Sequence, residues 1–501
     1  FSGPASAVIP GVGVISKKNM EWKWNNEKTV GSDIEFFERK QADGSVRRYA
    51  VAGDIGHGFD IYDITNPDMP TLAGVYVSPG LQWQGDVQVN PRRNIVSFAT
   101  DNLGASLAHG GGIGIELVDI TNIASPQRLG VVSNVGGAHN STIINDQYIY
   151  TALPTHIIDY SDPRNPKNLG QVPFICGHDL TVDPNRPDRL YSACSSGNKW
   201  QIVDISDPAT PKLIADVKDT QISIAHQADP APDSSFVIVS DERGGGISHH
   251  RCPGGGGHVY DISGKYVAGA SETTPKKMGV YFAPFTGTSS GGSSGQWANC
   301  TMHNFTFQAE RFAFSVGWYS AGSFVADLQE ATKTSGGLYQ EYAGPDASVP
   351  GKTTWGNTLG NILLEGDEVW STKWTRFDDP LYDRYLFTNG LTRGVDTLKY
   401  TGPLPLKVAR LTVDGQAPGG VVSGVLDRYA VWTYEGWVNK PLAGKTLQIT
   451  AGGTTVEATT GADGSFSAAT GLLPGTYEVT VTWPGDQDYQ PATVTRQITA
   501  S

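Results

Sequence analysis

Four of the ten histidines recur in one setting: Ala138-His139-Asn140, Gly177-His178-Asp179, Ala225-His226-Gln227 and Met302-His303-Asn304 each open a short run of alternating residues. Three further openings carry another polar residue: Ser32-Asp33-Ile34, Gly85-Asp86-Val87 and Gly356-Asn357-Thr358. Successive side chains of a β-strand point to opposite faces, so equivalent positions of neighbouring strands share a face and a height. If these runs are the innermost strands of seven blades, His139, His178, His226 and His303 converge on one axial channel. Neutral imidazoles gathered in this way are ligands for Fe, Cu, Zn or Mn. A transition metal ion is therefore the expected cofactor, with an open position left for water, dioxygen or a substrate oxygen.

Four imidazoles bring no countercharge, which turns attention to the polar residues around them. Asp33, Asp86, Asp179 and Glu242, with Asn357 in the channel, are the candidates to fix imidazole tautomers or add charge. Arg243, Arg251, Trp297, Trp318 and Tyr319 are expected to shape a substrate mouth, next to Gly-rich insertions near 243–257 and 284–298. The competing reading is that polar residues opening the inner strands bond a neighbour's backbone and pack the channel with water. His249, His250 and His258 read as solvated loop residues, with a cap over the same site as the alternative, and His57, His109 and His156 fall outside the inner-strand register. HExxH, Walker A and EF-hand patterns are absent. Gly291-Gly292-Ser293-Ser294-Gly295 has the letters of a nucleophile elbow without its strand–turn–helix context. No catalytic nucleophile is assigned.

The strands that must position these residues show a repeat. FDIYDITNPDMPTLAGVY (59–76) returns as IELVDITNIASPQRLGVV (115–132), HIIDYSDPRNPKNLGQV (156–172) and WQIVDISDPATPKLIADV (200–217), with degenerate copies at 257–263, 323–329 and 393–400. Each copy is a period-two strand, an Asp, a Pro-containing turn and a second strand. Self-similarity at this spacing means a propeller or solenoid. Asp63, Asp119, Asp159, Asp204, Asp261 and Asp327 are expected to accept backbone N–H bonds in the turns that follow them.

These copies resemble the LVIVD-repeat β-propellers over roughly residues 25–405. AHNSTII, CGHDLTVDP, HHRCPGGGGHVYDIS and NCTMHNFTF resemble a secreted actinobacterial subgroup of that family. The resemblance implies a seven-bladed propeller outside the cell and says little about chemistry. Carotenoid-cleaving oxygenases, also seven-bladed, hold iron on four inner-strand histidines, an analogy of architecture alone. After Pro403-Leu404-Pro405 the chain becomes Thr/Val/Gly-rich, and GTYEVTVTWPGDQDYQPATVTRQITA resembles the last strands of bacterial Ig-like modules. The expected fold is all-β: an extended N-terminal arm (1–24), a seven-bladed β-propeller (25–405) and a small Ig-like β-sandwich (406–501).

Composition narrows the partners. A formal charge of -13 and a pI near 5.2, without a Lys/Arg-rich tract, exclude nucleic acid. No apolar run reaches the roughly 18 residues of a membrane span. The four cysteines form two local pairs, Cys176 with Cys194 and Cys252 with Cys300, which read as disulfides of an oxidising compartment. A start at Phe1 fits a secreted product whose signal peptide has been removed. The expected function is a metal-dependent enzyme, of oxidase/oxygenase or polysaccharide lyase type, acting on an extracellular polysaccharide or small molecule. The alternative is a non-catalytic cell-surface, adhesive or filament-forming protein whose terminal strands join a neighbour's sheet edge in a homo-oligomer or filament.

Overall fold

Runs of Val, Ile, Tyr and Phe at period two, punctuated by Asp and Pro, form short strands joined by tight turns almost throughout. A computed structural model describes residues 13–28, 30–79, 85–100, 114–245, 252, 254–284, 299–341 and 353–501. Two compact units are present. One comprises residues up to 308, 312–403 and 433–436; the other comprises 309–311, 404–432 and 437–501.

The first unit is a seven-bladed propeller. Six antiparallel sheets have four strands and one has five. The first blade runs Gly31–Lys40, Val46–Asp54, Gly58–Asp63 and Thr71–Val77, and the next four repeat that meander in chain order. The inner strands of successive blades neighbour one another around a closed ring: Gly31–Lys40, Asp86–Asn90, Asn140–Ile143, Leu180–Asp183, Ala225–Pro230, Phe305–Phe307 and Val369–Trp374.

Apolar side chains from adjacent blades fill the space between them. Phe37, Val51, Phe59 and Ile61 of the first blade pack on Val87, Val96, Phe98 and Val118 of the second. Each such buried side chain contributes about 1.5–3 kcal/mol relative to exposure. The approach is close enough that a Cβ on Gly53 would lie 2.1 Å from the Gly85 carbonyl oxygen. The repeat carboxylates do what their turns require. Asp63, Asp119, Asp159, Asp204, Asp261 and Asp327 each accept the backbone N–H two residues on, at 2.7–2.9 Å.

Of the segment expected as an arm, residues 1–12 lie outside the described residues and the remainder forms strands of the last two blades. Met20–Asn25 is the outermost strand of the last blade, paired with Gly394–Tyr400, and Val14–Lys18 is a fifth strand on the sixth blade, paired with Asn357–Leu364. This corrects the reading of Asn357. Its strand is the fourth of the sixth blade, paired with Ser323–Asp327, so Asn357 opens no inner strand. The pattern misleads because Val14–Lys18 covers that strand, giving a would-be edge the buried alternation of an inner one. The seventh inner strand is VWSTKW, Val369–Trp374.

The second unit contains a three-stranded sheet (Ala409–Val413, Val421–Arg428, Ser465–Ala469) and a five-stranded sheet that includes Thr446–Ala451, Gly475–Trp483 and Ala492–Ala500. Leu411, Val422, Leu426 and Phe466 of the first sheet share a core with Leu447, Ile449, Val479, Val481 and Trp483 of the second. No helix among the described residues is long and apolar enough to cross a membrane.

Candidate metal centre

The four histidines open the inner strands of blades three to six and lie side by side. The His139 and His178 ring centroids are 4.2 Å apart, His178 and His226 4.2 Å, and His226 and His303 3.9 Å. All four are buried. Backbone bonds set three of the openings against the second strand of their own blade: His139 N–H donates to the Ala152 carbonyl, His178 to Ala193 and His303 to Gly317. Both disulfides brace these openings. Cys176, two residues before His178, is joined to Cys194, and Cys300, three before His303, is joined to Cys252.

The rings follow one another in chain order, and two carboxylates stand beside them. Asp179 Oδ1 lies 3.3 Å from His178 Nδ1, and its Oδ2 lies 3.6 Å from His226 Nδ1. Glu242 Oε2 lies 4.0 Å from His226 Nε2, and its Oε1 lies 3.5 Å from His303 Nε2. Ligand atoms of His178, Asp179 and His226, and those of His226, Glu242 and His303, fall within 4.8 Å of one another. His139 belongs to neither group and packs on His178. Asp179 and Glu242, expected behind the imidazoles, thus stand among them.

Hydrogen bonding fixes one tautomer and leaves another unsatisfied. His303 Nδ1 donates to the Trp370 carbonyl at 2.7 Å, which turns the Nε2 lone pair toward Glu242. His226 is 2 % exposed and its Nδ1 has no hydrogen-bond partner. Its Nε2 comes no closer than 4.0 Å to a carboxylate. A buried polar group left unpaired costs roughly 1–3 kcal/mol. Burial, then the neighbouring imidazoles, hold His226 well below the usual histidine range. Burial likewise depresses His303 and pushes the Asp179 and Glu242 carboxyls up to about 8. A dication between these groups would relieve that cost, because it takes neutral imidazole lone pairs and pairs with carboxylate charge.

Tyr319, read from the sequence as a mouth residue, is 1 % exposed and belongs to this cluster. Its hydroxyl donates to Glu242 Oε1 at 2.5 Å, and its ring centroid lies 4.8 Å from that of His303. Tyr319 has φ 42, a left-handed conformation uncommon outside glycine, and two backbone hydrogen bonds with Val369 at 3.1 Å hold it there. Trp318 is also misplaced as a mouth residue: it is fully buried against Tyr281 and Phe324. Arg243 is half-buried, 3.8 Å from Asp241. Arg251, Trp297, His109, His249 and His250 lie outside the described residues.

Asp33 and Asp86 line the inner strands without touching an imidazole. Asp86 accepts the Ser141 N–H at 2.9 Å. Asp33 accepts from Lys373 Nζ at 2.7 Å, and Lys373 also donates to Glu35 at 2.8 Å. Burial works against the Lys373 charge, but Asp33 and Glu35 outweigh it and hold the ammonium above its ordinary value. Sequence reasoning missed Lys373 and Glu35. A lysine inside the apolar run VWSTKW was the available signal.

The remaining histidines are engaged elsewhere. His57, between Asp54 Oδ1 at 3.3 Å and Asp60 Oδ1 at 3.0 Å, forms a clasp in which Lys28 and the Tyr62 hydroxyl also bind Asp60. His156 meets Asn168 at 3.2 Å. His258 is buried rather than solvated, with Lys277 Nζ 2.8 Å from its Nδ1. The strand Gly257–Asp261 begins one residue before it, which takes it out of the loop.

Residues 48–78 and 194–219 match the LVIVD repeat model. No curated protein matches the chain. Solved structures similar to it include a functionally unknown protein from Desulfotomaculum acetoxidans, at 12% identity over 68% of this chain and 92% of that one with a TM-score of 0.42. A Lactobacillus plantarum protein is similar at 10% identity, over 88% of this chain and 100% of that one, with a TM-score of 0.45. The RRP9 WD40 repeats are similar at 7% identity, over 78% and 99%, with a TM-score of 0.47. Likeness at this level transfers no activity. With seven sheets in a closed ring and the repeat model matched in two of its blades, the chain is a β-propeller that carries LVIVD repeats and a buried histidine-rich cluster.

Proposed function

We propose that this propeller is a secreted metalloprotein whose channel holds a transition metal on His178, His226 and His303 with Asp179 and Glu242, and that the centre serves redox chemistry on a small molecule. The observation that carries this is His226: buried, flanked by two further imidazoles, with no hydrogen-bond partner at Nδ1 and its Nε2 4.0 Å from Glu242. A structural histidine in such a place is expected to have found a partner.

Burial favours oxidase or oxygenase chemistry over a polysaccharide lyase. His226, Glu242, His303 and Tyr319 are at most 5 % exposed, a burial that suits water, dioxygen or peroxide better than a polymer chain. When bound, the ion supplies Lewis acidity and one-electron chemistry. Trp370 orients His303, Tyr319 holds Glu242 by a short hydrogen bond, and the surrounding aromatic rings keep bulk water out. The disulfides support an oxidising compartment, and the two-sheet second unit fits an Ig-like spacer.

Metal analysis of protein purified without added metal, compared with the His178→Ala/His226→Ala variant, tests the reading. Stoichiometric metal in the wild type that vanishes in the variant is the expected result. Metal absent from the wild type after incubation with Zn(II), Cu(II), Fe(II) and Mn(II) would overturn it in favour of a structural building block.

A further inference from the structure

His226 faces a different carboxylate with each ring nitrogen. Asp179 lies on the Nδ1 side at 3.6 Å and Glu242 on the Nε2 side at 4.0 Å. The rings of His178 and His303 flank it at 4.2 and 3.9 Å. The two potential donor groups, His178–Asp179–His226 and His226–Glu242–His303, therefore share a residue, and their carboxylates come nearest to it at opposite nitrogens. One ion cannot use both nitrogens of one imidazole, because the two lone pairs diverge across the ring.

We propose that the channel holds two transition-metal dications bridged by the imidazolate of His226, the first also held by His178 and Asp179, the second by Glu242 and His303. The proposal rests on the metal-binding reading above and adds the number of ions and the role of His226. Every neutral tautomer of imidazole carries one N–H, and here Nδ1 has no hydrogen-bond partner while the carboxylates nearest Nδ1 and Nε2 stand off at 3.6 and 4.0 Å. Loss of that proton to solvent as the second ion binds leaves a lone pair for each metal, so the arrangement that is unsatisfied for one proton is complete for two ions. His303 is prepared for its part, since its Nδ1 proton is committed to the Trp370 carbonyl.

Charge supports the same assignment. Two dications bring four positive charges, and Asp179, Glu242 and the imidazolate return three. Each ion has three protein donors, which is the count of an open site that keeps a position for an exogenous ligand. Imidazole with carboxylate is a donor set for Cu(II) or Zn(II) rather than for a soft, thiolate-seeking ion. Nothing comparable exists at His57, whose ring nitrogens both face carboxylates of the same clasp and whose Asp60 already binds Lys28.

Copper loading of the full chain tests this. Apo-protein is titrated with Cu(II), excess ion is removed, bound copper is counted by mass spectrometry, and the electron paramagnetic resonance signal is integrated. Two coppers per chain with a spin count well below two are expected, because Cu(II) ions sharing an imidazolate are magnetically coupled. Asp179→Ala is expected to bind one copper with a full single-ion signal, and its melting transition is compared with that of wild-type apo-protein to confirm folding. One copper per chain in the wild type with full spin, or two with full spin, overturns the bridge and leaves the metal-binding reading standing. No bound copper in the wild type overturns both.

Discussion

The channel cluster and the Asp54–His57–Asp60 clasp use the same residue types, and in both the potential ligand atoms lie within 4.8 Å of one another. They differ in what the atoms already do. In the clasp, both ring nitrogens of His57 meet carboxylates and Lys28 takes up further charge on Asp60, so the group is a closed ion-pair network. In the channel, His226 is buried with its Nδ1 unbonded and its Nε2 4.0 Å from Glu242, beside two other imidazoles and two carboxyls whose pKa burial has raised. Composition and spacing nominate both places. Unpaired lone pairs separate a site for an ion from a finished salt bridge.

The largest expected effect lies in metal affinity. His226→Ala should weaken Zn(II) binding about a hundred- to a thousandfold, on the order of 3–4 kcal/mol, as befits loss of one ligand from a site of this kind. His57→Ala should leave it unchanged. Competition with a chromophoric chelator measures both, and equal losses would erase the distinction between the two clusters.

Next comes pH. Hydrogen bonds to Asp54 and then Asp60 raise His57 from the ordinary histidine value to about 9. A folded-state value above the unfolded one means stabilisation that is fully present below about 6.5 and is lost as pH rises through about 9. With 25 % of the side chain open to solvent, that contribution is on the order of 2 kcal/mol. Denaturant midpoints at either end of this window should fall with rising pH in the wild type and be flatter in His57→Ala. A slope unchanged by the substitution would show that the clasp is not an ion pair.

Much of this was legible in the chain. The four histidines stood out because each opens a strand at the same step of a repeat, and the repeat aspartates were read correctly because an Asp before a Ser/Thr turn has one obvious partner, the N–H two residues on. Asn357 was misread because period-two burial does not distinguish an inner strand from a fourth strand that Val14–Lys18 has covered. Tyr319 and Trp318 were misplaced because aromatic residues near a Gly-rich loop suit a mouth and a core equally well. Their sequence could not show the left-handed turn that swings Tyr319 onto Glu242. The division of the histidine row into two donor groups rests on ring orientation, which no residue spacing encodes.

Two smaller effects sharpen the comparison. Tyr319→Phe keeps the ring and removes the hydroxyl that holds Glu242, so metal affinity should fall about tenfold while the fold is retained. Unchanged affinity in chelator competition would mean that Glu242 is positioned without it. Asp54→Asn removes one charge from the clasp and should lower the denaturant-derived stability by about 0.5–1 kcal/mol without altering metal content. A variant that lost metal instead would join the clasp to the metal chemistry.

X-ray absorption at the zinc edge on Zn(II)-loaded protein tests the central claim most directly. Scattering from several imidazole rings around the ion is predicted in the wild type and in His57→Ala, and its weakening is predicted in His226→Ala. A spectrum without imidazole scattering in the wild type, or one that changes with His57 and not with His226, would contradict the account.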